Sequence, residues 1–520
     1  MIGMLKMKKD NIKLIGLFLL FSFSNSTVIA QLKNHSFSFF YHENDTKTPH
    51  SSIKPYLESY QFSTDTAVLE RDKKWKKKLF DESLLYINEN QIRLTTDPLF
   101  NFTLGPQNAV KDFFYSSNVR GFRITGDVTS KLSFETRFYE NQFFYPDYLA
   151  QKAIQRAEEE NSIDAVAFGL GRAKKFKDYG VDAGLGNGYI SFSPIRNMNF
   201  QLGHGRHFFG NGYRSLVLSD YSPDYPYLSG QYYLIENKLL YKHVQARLYN
   251  LNRIPISTTP ESMLIPKSFS FNQLSLQATP ELSFSIFEGA TFKTYSSDSG
   301  TVRPHYSFYI PIMGTNLLAI DSVNSNTLIF GFNTSYSLKD RIKLYNQFVI
   351  RDEQRIGAQI GMRWNFSVDR KQSNSFINLE FNYSPTALYS VDSINKYQQF
   401  SHLSHELAHP LGSGFNEWLI KGQINYKRFF CRFSDNIVKI DQPGNNQHFA
   451  NQVFTPVDLI SSVDETSRLI FLNNSIGVLI NTSTKMEFSI GHLSRAVDGN
   501  WDNYILFSWR TYLKNDYFDQ

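Results

Sequence analysis

Two stretches hold residues whose types and spacing could support chemistry. The first, SHELAHPLGSG from Ser404 to Gly414, places His405, Glu406 and His409 as H-E-x-x-H. On a continuous helix that spacing sets two imidazoles one turn apart to grip zinc, and the glutamate activates a bound water. Here Pro410 directly follows His409, and proline disfavours helical geometry at the residue before it. Leu411-Gly412-Ser413-Gly414 then reads as loop. A third ligand could be Glu417, but it precedes Trp418 to Ile420, the expected start of a strand. The stretch is expected to be a loop, with no metal, no cofactor and no catalytic residue.

The second stretch is GHGRHFFGNGYRS, Gly203 to Ser215. Its glycines fall as G-x-G-x-x-F, missing the third glycine of a dinucleotide fingerprint, and no helix-prone segment follows. Two readings stay open. The glycines let a strand end and its loop bend in a crowded interior. Alternatively, His204, Arg206, His207, Tyr213 and Arg214 form a polar and aromatic surface that holds an acidic polysaccharide, since arginine pairs with carboxylates and rings stack.

The elements that position these residues follow from the rest of the chain. Lys6, Lys8, Lys9 and Lys13 precede an apolar run from Leu14 to Phe23 and then Val28-Ile29-Ala30. This pattern predicts a secretory signal peptide over 1–30, cut before Gln31. Gln31 stands where a lipoprotein would carry cysteine, so no lipid anchor is expected there. Cys431 is the single cysteine, which excludes an internal disulfide framework and a cysteine-cluster metal site. No later stretch supplies the ~18 consecutive apolar residues of a transmembrane helix.

Aromatic residues make up 16% of the 520, with 46 Phe and 30 Tyr, yet mean hydropathy is −0.35. Both facts fit strands that alternate lipid-facing and water-facing residues between aromatic girdles. The net charge of +6 carries no concentrated basic block beyond Lys73 to Lys78, so nucleic acid is not an expected partner. Leu132, Phe134, Thr136 and Phe138 alternate with Lys131, Ser133, Glu135 and Arg137. The same period of two recurs at Val244, Ala246 and Leu248, at Ile377 to Tyr383, and at Met486, Phe488 and Ile490 against Lys485, Glu487 and Ser489. Tight polar turns are expected at Val128–Leu132, Ser193–Met198, Thr279–Leu282, Ser337–Arg341 and Asn481–Lys485, with longer irregular segments between the hairpins.

Short turns at one rim and long loops at the other predict an all-β fold: a transmembrane antiparallel β-barrel over 89–520 with roughly 16 to 20 strands. Residues 31–88, including a basic, helix-prone segment, are expected to form a small, partly helical cap or plug on the periplasmic side. PDYLAQKAIQRAEEEN, Pro146 to Asn161, reads as a short helix in a loop between strands.

GHGRHFFGNGYRSLVLSDYSPDYPYL (Gly203 to Leu228), LYNQFVIRDE (Leu344 to Glu353) and LAHPLGSGFNEW (Leu407 to Trp418) resemble the capsule-assembly Wzi family. FYENQFFYPDYL and NYILFSWRTYLKNDYF extend the resemblance towards both ends of the barrel region. Within it the chain looks like the gliding-motility, RemB-like branch of Bacteroidetes-type bacteria. The resemblance implies a non-enzymatic outer-membrane barrel with an N-terminal helical region. In the capsule branch it implies surface polysaccharide as partner. In the gliding branch it implies a structural or adhesive role with gliding-machinery or other envelope proteins. Outer-membrane lipids are partners in either case, and a porin-like channel is the remaining alternative. The sequence departs from a common barrel ending, because Phe518 is followed by Asp519 and Gln520.

Overall fold

Strand alternation in this chain is inside out, with apolar residues facing lipid and polar residues facing the interior. In the segment Leu132–Phe144, Phe138 is exposed on the outer face while Ser133 and Glu135 are buried on the inner one. Repeated around the molecule, this pattern closes a sheet. The computed structural model describes residues 32–34, 50–54, 57–59, 74–89, 92–106, 114–129, 131–159, 162–254, 263–296, 300–319, 327–339, 341–368, 374–391, 396–443, 463–511 and 514–519. The expected signal peptide lies outside them.

Eighteen strands form the closed barrel. The first six are β1 (Ile92–Pro106), β2 (Phe114–Asp127), β3 (Leu132–Phe144), β4 (Gly180–Phe192), β5 (Met198–Gly205) and β6 (Tyr225–Ile235). Next come β7 (Leu239–Arg253), β8 (Leu264–Gln277), β9 (Leu282–Lys293), β10 (Thr327–Leu338), β11 (Ile342–Ile350) and β12 (Ile356–Ser367). The circuit ends with β13 (Asn374–Ser384), β14 (Phe415–Tyr426), β15 (Phe429–Pro443), β16 (Val463–Asn481), β17 (Met486–Val497) and β18 (Asn500–Arg510). Neighbours pair antiparallel throughout, and β18 closes on β1 with Phe507 opposite Leu104 and Arg510 opposite Asn101. Closure pairs every strand edge, which a bilayer demands.

The tight turns read from the sequence all fall on one rim, joining β2 to β3, β4 to β5, β8 to β9, β10 to β11 and β16 to β17. The longest connections, 145–179, 206–224, 294–326 and 385–414, all lie at the other rim. Helix α1 (Lys74–Phe80) sits at the short-turn rim, where Asn481 Nδ2 donates to the carbonyls of Lys78, Leu79 and Glu82 and Arg428 pairs with Asp81 at 2.8 Å. The strand Leu85–Glu89 pairs with β1 beside it. Helix α2 (Asp147–Glu159) starts one residue after Pro146 and buries Leu149, Ala150, Ala153, Ile154 and Ala157, a stripe of helical spacing.

Alternation misleads at one place. Val244, Ala246 and Leu248 face inward rather than towards lipid, joining a core of Phe209, Leu216, Phe269, Phe271, Phe287, Leu388 and Phe400. The reason is that the lumen beside β7 and β8 is filled by the chain's own loops. The connection 206–224 and the stretches 385–391 and 396–414 fold back into it, together with the segment His50–Lys54, whose Ile53 and Lys54 pair with Phe209 and Phe208.

Candidate functional site

The glycines of the second motif are what lets its loop cross the lumen. Gly210 has φ +143°, and a Cβ on Gly212 would lie 2.4 Å from Glu380 Oε2. With no side chain there, the backbone N–H groups of Tyr213 and Arg214 reach the Glu380 carboxylate at 2.8 and 3.1 Å. The packing reading of the glycines accounts for this geometry.

The H-E-x-x-H stretch forms no helix. Ser401–His402 pairs with His405–Glu406 across a tight turn in which Leu403 and Ser404 both take positive φ, +47° and +58°. His409 Nδ1 accepts the Leu411 N–H at 3.1 Å, so its Nε2 carries the proton that Glu417 accepts at 2.9 Å. His405 directs Nδ1 at the Leu403 carbonyl, and burial pushes its pKa down to about 3. No group of three His, Cys, Asp or Glu among the described residues could hold a metal ion. Glu417 meets the motif as a hydrogen-bond acceptor.

At the centre of the lumen Arg214 is completely buried. Its guanidinium donates to Glu417 at 2.9 and 3.3 Å and also to Asp519. Asn382 and Asn436 donate to Glu417 at 2.9 and 2.7 Å. Ions so far from water are tolerated because each is paired and further hydrogen-bonded. The segment 514–519 completes the cluster. Tyr517 donates to Asp220 and stacks on Tyr213 at 5.5 Å, Asn515 donates to Asp220 at 2.8 Å, and Tyr148 donates to the Phe518 carbonyl at 2.8 Å. Burial pushes the Lys514 ammonium down to about 8 and raises the Asp220 carboxyl above its ordinary range.

Arg206 pairs with Asp224 at 2.6 Å and donates to the Asp220 carbonyl at 2.8 Å. Burial opposes ionisation of Asp224, but the Arg206 guanidinium outweighs it and holds the carboxyl low. His207 is buried between aromatic rings, 4.5 Å from Tyr227 and within 3.3 Å of the Tyr225 hydroxyl. His204 points the other way, outward from the end of β5, with Nδ1 on the Gly186 carbonyl at 3.0 Å. Of the residues singled out from sequence, Tyr213 and Arg214 come together, Arg206 and His207 brace the same loop, and His204 stands apart.

Below this seal a cavity of about 110 Å³ runs from Lys485, in the turn between β16 and β17, up to Tyr213, Phe518 and Asp519. Its walls carry Lys421, Arg432 and Arg510 among serines, threonines and asparagines, with Tyr115 and Phe471 as apolar faces. Glu487 is shared by Arg432 at 3.0 Å and Arg510 at 2.6 Å, and Lys421 Nζ lies 3.7 Å from the Tyr213 ring centre. Such a wall can donate hydrogen bonds to a hydroxylated, anion-bearing ligand and stack against it. Sequence reading missed Lys421, Arg432 and Arg510. Their inward parity was visible strand by strand, but not that β14 to β18 enclose one space with the Lys514–Asp519 segment.

No family model matches the sequence, and no curated protein matches it. Among solved structures the chain is similar to Wzi, an outer membrane protein involved in group 1 capsule assembly in Escherichia coli and a carbohydrate-binding β-barrel. The TM-score is 0.52 at 10% identity, covering 81% of this chain and 85% of that one. It is also similar to OccAB4 of Acinetobacter baumannii (TM-score 0.42, 8% identity, 82% and 98% covered) and to the outer membrane protein OprD of Pseudomonas aeruginosa (0.41, 11%, 83% and 97%). The fold is that of an outer-membrane β-barrel.

Proposed function

We propose that this chain, exported by its signal peptide, is a non-enzymatic outer-membrane scaffold that retains or organises polysaccharide at the cell surface. The observation that carries this reading is the lumen packed by the chain's own loops around Arg214, Glu417 and Asp519. A barrel closed in this way acts through what its surfaces hold rather than through what it passes. The likeness to Wzi, itself carbohydrate-binding, supports the same reading. In it Arg206, His207, Tyr213 and Arg214 shape the loops that meet the glycan, while His204 offers a ring at the outer end of β5.

The test is the amount of polysaccharide held on cells against that shed into the medium, in a deletion strain and its complemented parent. Shedding on deletion, reversed by complementation, is the expected result. A second reading, a structural part of a gliding apparatus, draws on the RemB-like resemblance of the stretches Gly203 to Leu228 and Leu407 to Trp418. Equal retention combined with impaired spreading on agar would replace the first reading with the second.

A further inference from the structure

Strand parity assigns one face of each barrel strand to lipid, and over most of the wall those residues are bare: Leu202, Trp418 and Ile476 are each more than 60% exposed. The sector formed by β7, β8 and β9 differs. His243, Asn272 and Glu288 lie opposite one another in register on three neighbouring strands. They face outward, because Val244, Phe271 and Phe287 beside them face the lumenal core. Yet all three are buried, Asn272 and Glu288 completely.

What buries them is a segment of the connection between β9 and β10. Residues 302–319 turn back over the outside of the barrel through short 3-10 turns at Tyr306–Tyr309 and Thr315–Ala319. The Gly314 N–H and Asn316 Nδ2 donate to the Glu288 carboxylate, each at 3.0 Å. Asn272 Nδ2 donates to the same carboxylate at 2.8 Å, while Asn272 Oδ1 accepts from His243 Nδ1 at 2.6 Å. Tyr241 donates to the Pro311 carbonyl at 3.1 Å. Beside this polar patch Phe308 and Ala319 pack on Ala290, Phe292 and Leu328. Glu288 lies midway along β9, so the segment descends well below the long-loop rim.

A carboxylate, an amide and an imidazole turned towards hydrocarbon are strongly disfavoured. The segment answers Glu288 directly, Asn272 and His243 are linked to Glu288 in turn, and Tyr306, Tyr309, Ile312, Leu317 and Leu318 lie on the segment's outer side, all about half exposed or more. These continue the exposed apolar band formed by Leu228, Ile286 and Phe332 on the flanking wall. We propose that residues 302–319 are a membrane-embedded flap whose occupant partner is lipid: acyl chains contact Tyr309, Ile312, Leu317 and Leu318 in place of the barrel wall. The polar row beneath fixes the flap's position.

The test is collision accessibility of a nitroxide placed at Ile312→Cys or Leu317→Cys, in a Cys431→Ser background, with the full chain in phospholipid nanodiscs. Ile476→Cys on the bare wall is the lipid reference. Oxygen partitions into hydrocarbon and a nickel chelate stays in water. The expected result is an oxygen-to-nickel ratio at both flap positions equal to that at position 476. A ratio inverted in favour of nickel, or low collision with both reagents, would overturn lipid contact. Two separate label sites keep the test decisive if one substitution prevents insertion.

Discussion

The two halves of the lumen use the same inward-facing strand positions to opposite ends. Beside β7 to β9 the interior is filled by loops, and the residues facing it include Val244, Phe269, Phe271 and Phe287, with Lys267 and Gln273 hydrogen-bonded to the filling at the Gln399 carbonyl and Ser52. Beside β14 to β18 it holds a cavity, and the residues facing it are Lys421, Arg432, Glu487 and Arg510. The difference teaches that the filling, not the barrel wall, decides which residues a strand turns inward. The border between the halves is the ionic cluster of Arg214, Glu417, His409 and Asp519, where loop, strand and C-terminal segment meet.

If that border holds the seal, removing its cation is the largest perturbation. Arg214→Met leaves Glu417 and Asp519 buried without a counter-charge, and breaking a buried pair this way costs about 3 to 5 kcal/mol. Thermal unfolding of the purified barrel should show the loss; a change no larger than for a surface substitution would detach the seal from the cluster. Acid attacks the filled half next. His207, His402 and His405 are buried, and burial holds each pKa far below 6.5, to about 3 for the last two. The folded loops then bind no proton where the unfolded loops bind one, so stability is intact above about 6.5 and falls as pH drops towards 3, by about 1.4 kcal/mol per histidine per pH unit. Glu406, which burial raises to about 8, works in the opposite sense and offsets one of them. Hydrogen exchange should therefore show the amides of 206–224 and 396–414 losing protection below pH 6 before the barrel strands do.

Gly212→Val drives a side chain into Glu380 and Gln359, an overpacking expected to cost about 1 to 3 kcal/mol in the same unfolding measurement. The smallest effect belongs to the other half: Ser489→Ala on the cavity wall should change stability by no more than about 0.5 kcal/mol. An equal loss from Gly212→Val and Ser489→Ala would erase the distinction between filled and hollow halves.

Sequence periodicity revealed the barrel because a lipid-facing wall forces a period of two, and the polar turns set the rim on which hairpins close. It did not reveal the filled half. Val244, Ala246 and Leu248 read as a lipid-facing stripe and prove to face loops that arrive from elsewhere in the chain. Arg214 and Glu417 were both weighed from sequence, one as a glycan contact and the other as a conceivable third ligand of a zinc site that was set aside, and the fold joins them as an ion pair. Nothing local encodes that meeting, since it depends on two long connections entering one lumen. Pro410 did carry local information: the residues around His409 are loop, as its position required. The outward polar row of His243, Asn272 and Glu288 was not legible either: with Val244 read as lipid-facing, His243 fell on the lumenal face, and the segment that covers the row comes from a distant connection.

The central claim, a barrel sealed by its own loops, is tested most directly by the conductance of the intact protein in a planar lipid bilayer. No open-channel steps are expected for the unmodified chain, with steps emerging in Arg214→Met. Stable, ohmic channels from the unmodified protein would contradict it and restore the porin-like reading.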